Sequence, residues 1–599
     1  MNHSVTTPEI NTDNDRRNAI SHWLESFENA LHAGDAARLA TLFAVECHYR
    51  DLLAFSWSIR PAQSAHDIAR FLIDTQPTIH ARDFAIADGR TQPRSVRRLG
   101  ISVIEGIFRF ETALGRGQGV VRLLEENPTQ AWVLMTGLDE LKGHEEKIGA
   151  RRPSGEAYSR NFGGDNWLDQ RNKSRAYADR DPVVLIIGAG QSGLAAAARL
   201  GQLDVDTLVV DKYPRVGDNW RSRYHSLALH NQIHVNHLPY MQFPPTWPKY
   251  IPKDMLGNWL EMYADAMQIN CWTGTEFRAG SYDAAAKRWN VTLRRENGSE
   301  RVMHPRHIVF ANGTSGIARV PDLPGLRDFK GDVMHSHGFS SGIAWKGKRA
   351  LVLGTGNSGH DVAQDLHSHA VDTTIIQRGS TTVVSIDPSA KLNYALYEEG
   401  LPLEDSDLIA TATSYPLLIR GYQAAMKRMF EYDKELIANL QARGFRWDAG
   451  EDGTGHQMKY RRRGGGYYLD AGCSQLIIDG EVGLMQFDDI ERFVAEGALM
   501  KDGTVHKADL LVTATGYYSQ QELVRRLLGD TISERIGPIW GIGVDGEMAN
   551  MFRRTPQPGV WFMGGGLGQC RIYSKYLALQ IKAIELGLIE ASLPAAINA

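Results

Sequence analysis

DPVVLIIGAGQSGLAAAARLGQLDVDTLVVDKY, residues 181–213, is the stretch from which the rest of the chain can be organised. Val183–Ile187 is an unbroken apolar, largely β-branched run with polar ends, the pattern of a buried parallel strand. It ends at Gly188. Gly188 permits a tight turn, Gly190 lets a pyrophosphate approach the backbone, and Gly193 lets the following helix pack closely on the sheet. Gln191 and Ser192 open an alanine-rich helix whose first N–H groups can hold phosphate. Asp211 closes the next strand, 23 residues after Gly188, with Lys212 behind it. A carboxylate there can accept from an adenosine ribose hydroxyl; its plainer reading is a surface strand end. With strand, turn, helix, second strand and acid all in order, a dinucleotide cradle is expected.

About 165 residues later the same unit returns in KRALVLGTGNSGHDVAQDLHSHAVDTTIIQRGS, 348–380. Its glycines are Gly354, Gly356 and Gly359, with Asn357 and Ser358 between. The next strand ends at Gln377 and Arg378, where no carboxylate stands. An acid would repel a 2′-phosphate, whereas Arg378 can pair with one and Ser380 can donate to it. NADPH is therefore expected over NADH, with a solvated strand end as the plainer reading of Arg378. Two cradles in one chain imply two dinucleotides: a bound FAD reduced by a diffusing nicotinamide.

Composition narrows the alternatives. The chain has 599 residues, 43% hydrophobic and 23% charged, with a formal net charge of -4. Several domains with large cores are allowed, and nothing calls for a nucleic-acid partner. Cys47, Cys271, Cys473 and Cys570 are far apart and form no CxxC. A disulfide framework and a redox dithiol beside the flavin are both disfavoured, and a reducing, cytoplasmic setting fits. Neither a signal peptide nor a spanning segment is read, although the mildly apolar tail after Gly587 leaves a monotopic contact open. A metal is not expected. His225, His230, His234 and His237 lie close in sequence but lack a supporting carboxylate set.

The segment after Asp211 is rich in aromatics and prolines. Gly217–Trp220 can run along FAD, with Trp220 over a face of the ring. Arg221 can hold a phosphate or a carboxylate of its own protein. ADLLVTATGY, 508–517, is a strand entering a Gly turn that includes Thr515 and Gly516, expected to return to the first cradle. Strand 560–563 runs into Gly564–Gly568 and a helix. That helix N-terminus, with Gln569, would face the flavin where negative charge collects on reduction. Residues 381–470 form an insertion with a helical stretch and a basic run, Lys459–Gly466, read as a lid or, equally, a solvated surface element.

Before the first cradle the style differs. Residues 1–16 read as a disordered start. Two helices follow, then strands at 101–113 and 131–141 joined through Gly115 and Gly117, a small α+β unit. Its apolar residues Trp23, Phe27, Leu31, Leu42 and Phe43 are expected to form its own core. A structural and assembly role is expected, with dimerisation through the sheet; a pocket at Tyr49, Arg50, Asp51 and Trp57 is the alternative. Residues 142–180 read as a polar linker anchored by Trp167, Arg171 and Tyr177.

These motifs together resemble the class B flavin-containing monooxygenases, over about residues 180–590. GAGQSG at Gly188–Gly193 and GTGNSG at Gly354–Gly359 resemble the family's two fingerprints. FKGDVMHSHGF matches its FxGxxxHxxxF signature through Phe329, Gly331, His335 and Phe339. Phenylalanine at 339, where Baeyer–Villiger enzymes usually carry tryptophan, and histidine at 230, where heteroatom oxygenases commonly carry asparagine, make the chain similar to the YUCCA-like, indole-3-pyruvate monooxygenase branch. Residues 17–142 resemble the NTF2/SnoaL-like α+β cone. The resemblance implies a multidomain architecture: the cone at 17–142, a linker at 143–180, and a Rossmann-like α/β flavoprotein. In the latter, 181–334 and 506–590 would bind FAD and 335–505 NADPH. It further implies that NADPH reduces FAD, and that dioxygen then forms a C4a-(hydro)peroxyflavin that oxygenates a small molecule, a 2-oxo acid or a heteroatom. His230, Asn231 and His335 are the candidate catalytic residues, His335 as an orienting group and not a base. An NAD(P)H oxidase or reductase and a non-catalytic dinucleotide-binding scaffold are the rival readings.

Overall fold

The computed structural model describes residues 12–155 and 158–593. Residues 1–11, most of the expected disordered start, lie outside them, as do 594–599 of the tail. Helix formation begins earlier than expected, at Asp13. Thr12 caps the helix and shares a reciprocal capping box with Asp15.

Helix Asp13–His32 buries Ile20, Trp23, Leu24, Phe27 and Leu31 against a strongly curved sheet. The strand order is 59–63, 43–52, 127–141, 115–124, 101–111, 82–86, with 94–98 also paired to 101–111. The expected direct joint between two long strands is replaced by a third, Gly115–Leu124, between them. Its glycines are not turn residues. A Cβ on Gly117 would run into the Phe110 ring, and one on Gly119 into Phe108. Bare backbone lets the neighbouring aromatics lie across the strand.

Both faces of this sheet are covered. Ile104, Phe108, Val121 and Leu134 pack under the N-terminal helices. Val103, Ile107, Val120, Val133 and Met135 join one continuous core with the rest of the chain. The sheet face expected to serve a dimer is thus occupied within the chain, because its alternating residues are apolar on both sides. Two of the four expected pocket residues are committed within the sheet. Tyr49 bonds Thr136 at 2.6 Å, and Asp51 accepts from the N–H groups of Ala54, Phe55 and Ser56. The linker is pinned where its large side chains fall: Trp167 donates to Gln268, Arg171 to the Ile269 carbonyl, and Tyr177 to Asp206.

Two five-stranded parallel sheets follow. The first has the order 270–272, 207–210, 184–187, 307–310, 560–562. The second has the order 332–335, 510–513, 349–353, 372–377, 483–486. Each glycine turn follows the central strand of its sheet, at the carboxyl end where open α/β sheets bind ligands. Leu510–Thr513, expected in the second part of the FAD-binding region, instead sits between 332–335 and 349–353, so the chain returns to the first sheet only after Thr513. The signature segment makes the outward crossing. Phe329 and Phe339 are buried, and a Cβ on Gly331 would lie 2.5 Å from the Asp509 carbonyl.

The insertion forms helices 403–411, 415–432, 434–442 and 455–463 and is not a solvated element. It lies against the N-terminal sheet: Asp405 accepts from Arg90 and Thr91, and Glu399 pairs with Arg94 and Arg98. No helix among the described residues is long and apolar enough to cross a membrane.

Candidate active site

At the first turn Gly188 has φ +109°, and a Cβ there would lie 2.7 Å from the Ala311 carbonyl. A Cβ on Gly193 would collide with the Gly188 carbonyl. Gly190 is the N-cap of helix Gln191–Gln202 and gives no side-chain bond, so the first N–H groups stay open. Asp211 accepts from Ala189 N–H at 2.6 Å and Tyr213 N–H at 2.9 Å, fastening the turn to the next strand. Burial raises its pKa despite those bonds. Asn219 stands over Gly190, and its Oδ1 is buried without a partner. An orphaned acceptor beside a bare cradle is the need a dinucleotide's donors would meet.

Trp220 Nε1 donates to Gln191 Oε1 at 3.2 Å, and Gln191 Nε2 donates to the Gly565 carbonyl at 3.2 Å. This chain joins the cradle to helix Leu567–Glu585, whose N-cap, Gly566, also lacks a side-chain bond. Two side chains near the cradle are held within the protein. The Ser192 side chain does not face the cradle; it is buried 3.1 Å from Cys570 Sγ and ties the two helices. Arg221 takes its own protein's carboxylates, Asp218 and Glu261. Lys212 is exposed, its Nζ 5.3 Å from the Tyr213 ring centre.

The second cradle repeats the geometry. Gly354 has φ +121°, with a would-be Cβ 2.5 Å from the Ala514 carbonyl, and Gly359 abuts the Gly354 carbonyl. Gly356 caps helix Asn357–Ser368 without a side-chain bond. Asn357 Oδ1 accepts from Leu469 N–H, so this side chain holds the insertion strand 467–470 along the cradle. Ser358 is half-buried, and Arg378 is exposed with no ion pair among the described residues. Ser380 bonds Asp448, a carboxylate 68 positions away that the sequence did not announce; Lys459 pairs with it. Thr515 and Gly516 follow Ala514 and so border this cradle and not the first. Thr515 Oγ1 donates to the Arg319 carbonyl. His335 Nε2 lies 3.0 Å from the Gly516 carbonyl, and its Nδ1 accepts from His337 N–H. Both ring nitrogens are engaged, which makes His335 a tie across the crossing.

Between the cradles the insertion brings up side chains that sequence reading missed. Tyr394 bonds Asn231 and Gln457. Tyr460 donates to Gln569 Oε1 at 3.3 Å, and Trp540 Nε1 donates to the Tyr460 carbonyl. His456 lies near His230, its ring centre 5.9 Å from that of Tyr467. Burial lowers the pKa of His230. Burial, and then the His230 charge, bring His456 down to about 3. Burial pushes the Tyr394, Tyr460 and Tyr467 hydroxyls above their ordinary range. These tyrosine hydroxyls and imidazoles are therefore uncharged at neutral pH. The contacts to Asn231, His230 and Gln569 each span more than a hundred residues, so no local signal marks them. Among the described residues, no group of histidines, cysteines and carboxylates could hold a metal.

The family model for flavin-binding monooxygenase-like proteins matches residues 181–429. Indole-3-pyruvate monooxygenase YUCCA1 of Oryza sativa subsp. japonica is 30% identical over 342 residues, 56% of this chain and 77% of that protein. The chain belongs to the flavin-binding monooxygenase-like family. A second relative, "Probable indole-3-pyruvate monooxygenase YUCCA9" of Arabidopsis thaliana, is 28% identical over 66% of this chain and 85% of its own length. Among solved structures, cyclohexanone-bound cyclohexanone monooxygenase in its rotated conformation aligns with a TM-score of 0.51 at 19% identity, covering 70% of this chain and 90% of that one. That likeness speaks to the fold. This flavin monooxygenase works with FAD and NADPH, and the two bare cradles fit such a pair.

Proposed function

We propose that Gly188, Gly190, Gly193, Asp211, Asn219, Trp220 and Gln569 hold FAD, and that Gly354, Gly356, Gly359 and Arg378 hold NADPH. Oxygen is then delivered to a small 2-oxo acid in front of His230, Asn231, Tyr394 and Tyr460. FAD, when bound, supplies hydride acceptance from NADPH and the activation of dioxygen. The protein's part is positional and electrostatic. The open N–H groups at Gly566–Gly568 and the Gln569 amide offer donors where negative charge develops. Tyr460 and Tyr394 are held protonated by burial and can donate without releasing protons. Neutral His230 and His456 add no charge to that wall. The aromatic and aliphatic lining excludes bulk water.

The observation that carries this reading is the chain of contacts Trp220–Gln191–Gly565 with Gln569 and Tyr460 beside it. It joins the first cradle, the C-terminal helix and the insertion at one spot. The substrate class is supported by the relatives named as indole-3-pyruvate monooxygenases. The overall change is R–CO–COOH + O2 + NADPH + H+ → R–COOH + CO2 + NADP+ + H2O. The curved N-terminal unit is an NTF2-like cone docked permanently on the flavoprotein.

The test is turnover of phenylpyruvate with NADPH under oxygen-18 gas. One labelled oxygen in the phenylacetate formed supports the reading. NADPH consumption that yields hydrogen peroxide and unlabelled organic material contradicts it and identifies an oxidase.

A further inference from the structure

The basic run Lys459–Arg463 lies on helix Gly455–Arg463, and its cations are not equivalent. Lys459 pairs with Asp448 at 2.6 Å, Arg462 with Asp452 at 2.6 Å, and Arg463 with Glu451 at 3.1 Å. Arg461 pairs with no carboxylate among the described residues. Its one hydrogen bond is from Nε to the Tyr422 hydroxyl at 3.2 Å. The residue is half-buried, and its terminal N–H groups make no hydrogen bond among the described residues. A half-buried cation whose one partner is neutral can still take an anion in a bidentate, charge-assisted contact.

Arg461 stands in the wall of a cavity of about 70 Å3 where three parts of the chain meet. Arg50 and Ile59 come from the N-terminal sheet, Tyr415 and Arg461 from the insertion, and Gln569 and Tyr573 from the C-terminal helix. The other charges of this wall are spent. Both Glu547 oxygens accept from Arg50, and Arg553 pairs with Asp545. Arg461 is thus the unneutralised charge of the lining. Gln569, which reaches Tyr460 and the first cradle on its other side, separates the cavity from the proposed flavin edge.

We propose that Arg461 binds the carboxylate of an organic-acid substrate in this cavity, and that the N-terminal domain completes the cavity's wall. The proposal rests on the reading of the site as an oxygenase of 2-oxo acids and adds the group that recognises the acid. The volume supports it. A dry cavity that holds benzene is roughly 150 Å3, so this one takes a carboxylate and a few carbons, not a whole aromatic substrate. The acid end enters the cavity beside Arg461, and the carbonyl carbon and apolar body extend out of it past Gln569. The N-terminal domain is then part of the binding site and not only of the assembly, because Arg50 fixes Glu547 away from Arg461 and leaves that guanidinium free.

The test is calorimetric titration of the FAD-loaded full chain, with NADP+ present, by phenylacetate and by its neutral isostere phenylacetamide. Wild type is expected to bind the acid at least tenfold more tightly than the amide. R461Q is expected to lose at least tenfold for the acid with no change for the amide, and R461K to recover part of that loss. Equal binding of acid and amide by wild type overturns the proposal and needs no variant; undiminished acid binding by R461Q overturns it too. Anaerobic bleaching of the flavin by NADPH, recorded on the same preparations, separates the two readings. Bleaching with no preference for the acid removes the Arg461 proposal alone. Acid preference without bleaching removes the oxygenase reading and leaves Arg461 as an acid-binding residue.

Discussion

Arg50 of the N-terminal sheet and Glu547 of the C-terminal segment form a buried bidentate pair, Nε to Oε1 and Nη2 to Oε2, both at 2.7 Å. The remaining Arg50 donors reach the Thr411 carbonyl at 2.8 Å and the Tyr573 hydroxyl at 3.1 Å. One side chain therefore clasps the N-terminal sheet, the insertion and the C-terminal helix. Removing the acid alone leaves a buried guanidinium without its counter-ion, which typically costs about 3–5 kcal/mol. Glu547→Gln is expected to lower the urea midpoint markedly, while the double variant Arg50→Met, Glu547→Met loses less than Glu547→Gln. A double variant no more stable than Glu547→Gln contradicts the coupling.

Gly190 is the cradle position where backbone must meet pyrophosphate. A Cβ built there already comes within 3.0 Å of Asn219 Nδ2. Gly190→Leu fills the space left for phosphate, and FAD content read from the visible absorbance of the purified protein is expected to fall severalfold. Full flavin occupancy in a folded Gly190→Leu protein would rule out this turn as the FAD cradle.

Arg378 is exposed beyond the second cradle with no ion pair among the described residues. A charge-assisted contact to a 2′-phosphate contributes roughly 1.5–3 kcal/mol, so Arg378→Ala should lower kcat/KM for NADPH about 10- to 150-fold. Efficiency with NADH should stay within about twofold. Equal losses with both nucleotides would remove Arg378 from phosphate recognition.

Glu105 is buried in the N-terminal sheet beneath Arg122, Arg98 and Arg94. Burial alone would push its pKa up, but the Arg122 charge and the Arg98 hydrogen bond overcome that and hold it at about 2. The sign follows from a carboxyl bound more weakly to its proton when folded. Its stabilisation is complete above the unfolded value of 4.5 and is lost as pH falls toward 2. The shift corresponds to on the order of 3 kcal/mol at neutral pH. Glu105→Gln should lower the urea midpoint at pH 7 and make stability fall less steeply below pH 4.5 than in wild type. A variant with an unchanged acid limb would contradict this assignment.

What the sequence made legible follows from range. The two cradles depend on glycines that meet carbonyls a few residues away or at the next strand end, so their spacing alone revealed Gly188–Gly193 and Gly354–Gly359. An apolar run such as Leu510–Val512 announces a buried strand but not which sheet holds it, and it was placed with the wrong one. Gly115 and Gly117 look like a joint because what they meet, the Glu140 carbonyl and the Phe110 ring, lies on the neighbouring strands. The basic run could be read as a lid or as a solvated element because its packing partners are not adjacent: Asp448 stands 11 positions before Lys459 and Tyr422 39 positions before Arg461. Near the first cradle, Gln569 and Trp220 could be singled out through the helix start and the aromatic segment. Tyr394, His456 and Tyr460 could not, since the insertion supplies them from a distance.

The central claim is that this chain activates dioxygen on FAD that NADPH has reduced, in a site walled by neutral donors. Stopped-flow absorbance of the NADPH-reduced enzyme mixed with oxygenated buffer tests it most directly. The account predicts a transient spectrum distinct from both reduced and oxidised flavin, appearing before oxidised FAD returns and shortened in life when Gln569→Ala or Tyr460→Phe opens the wall. Direct, single-step return from reduced to oxidised flavin, with hydrogen peroxide formed in equal amount and no effect of either substitution, would contradict it.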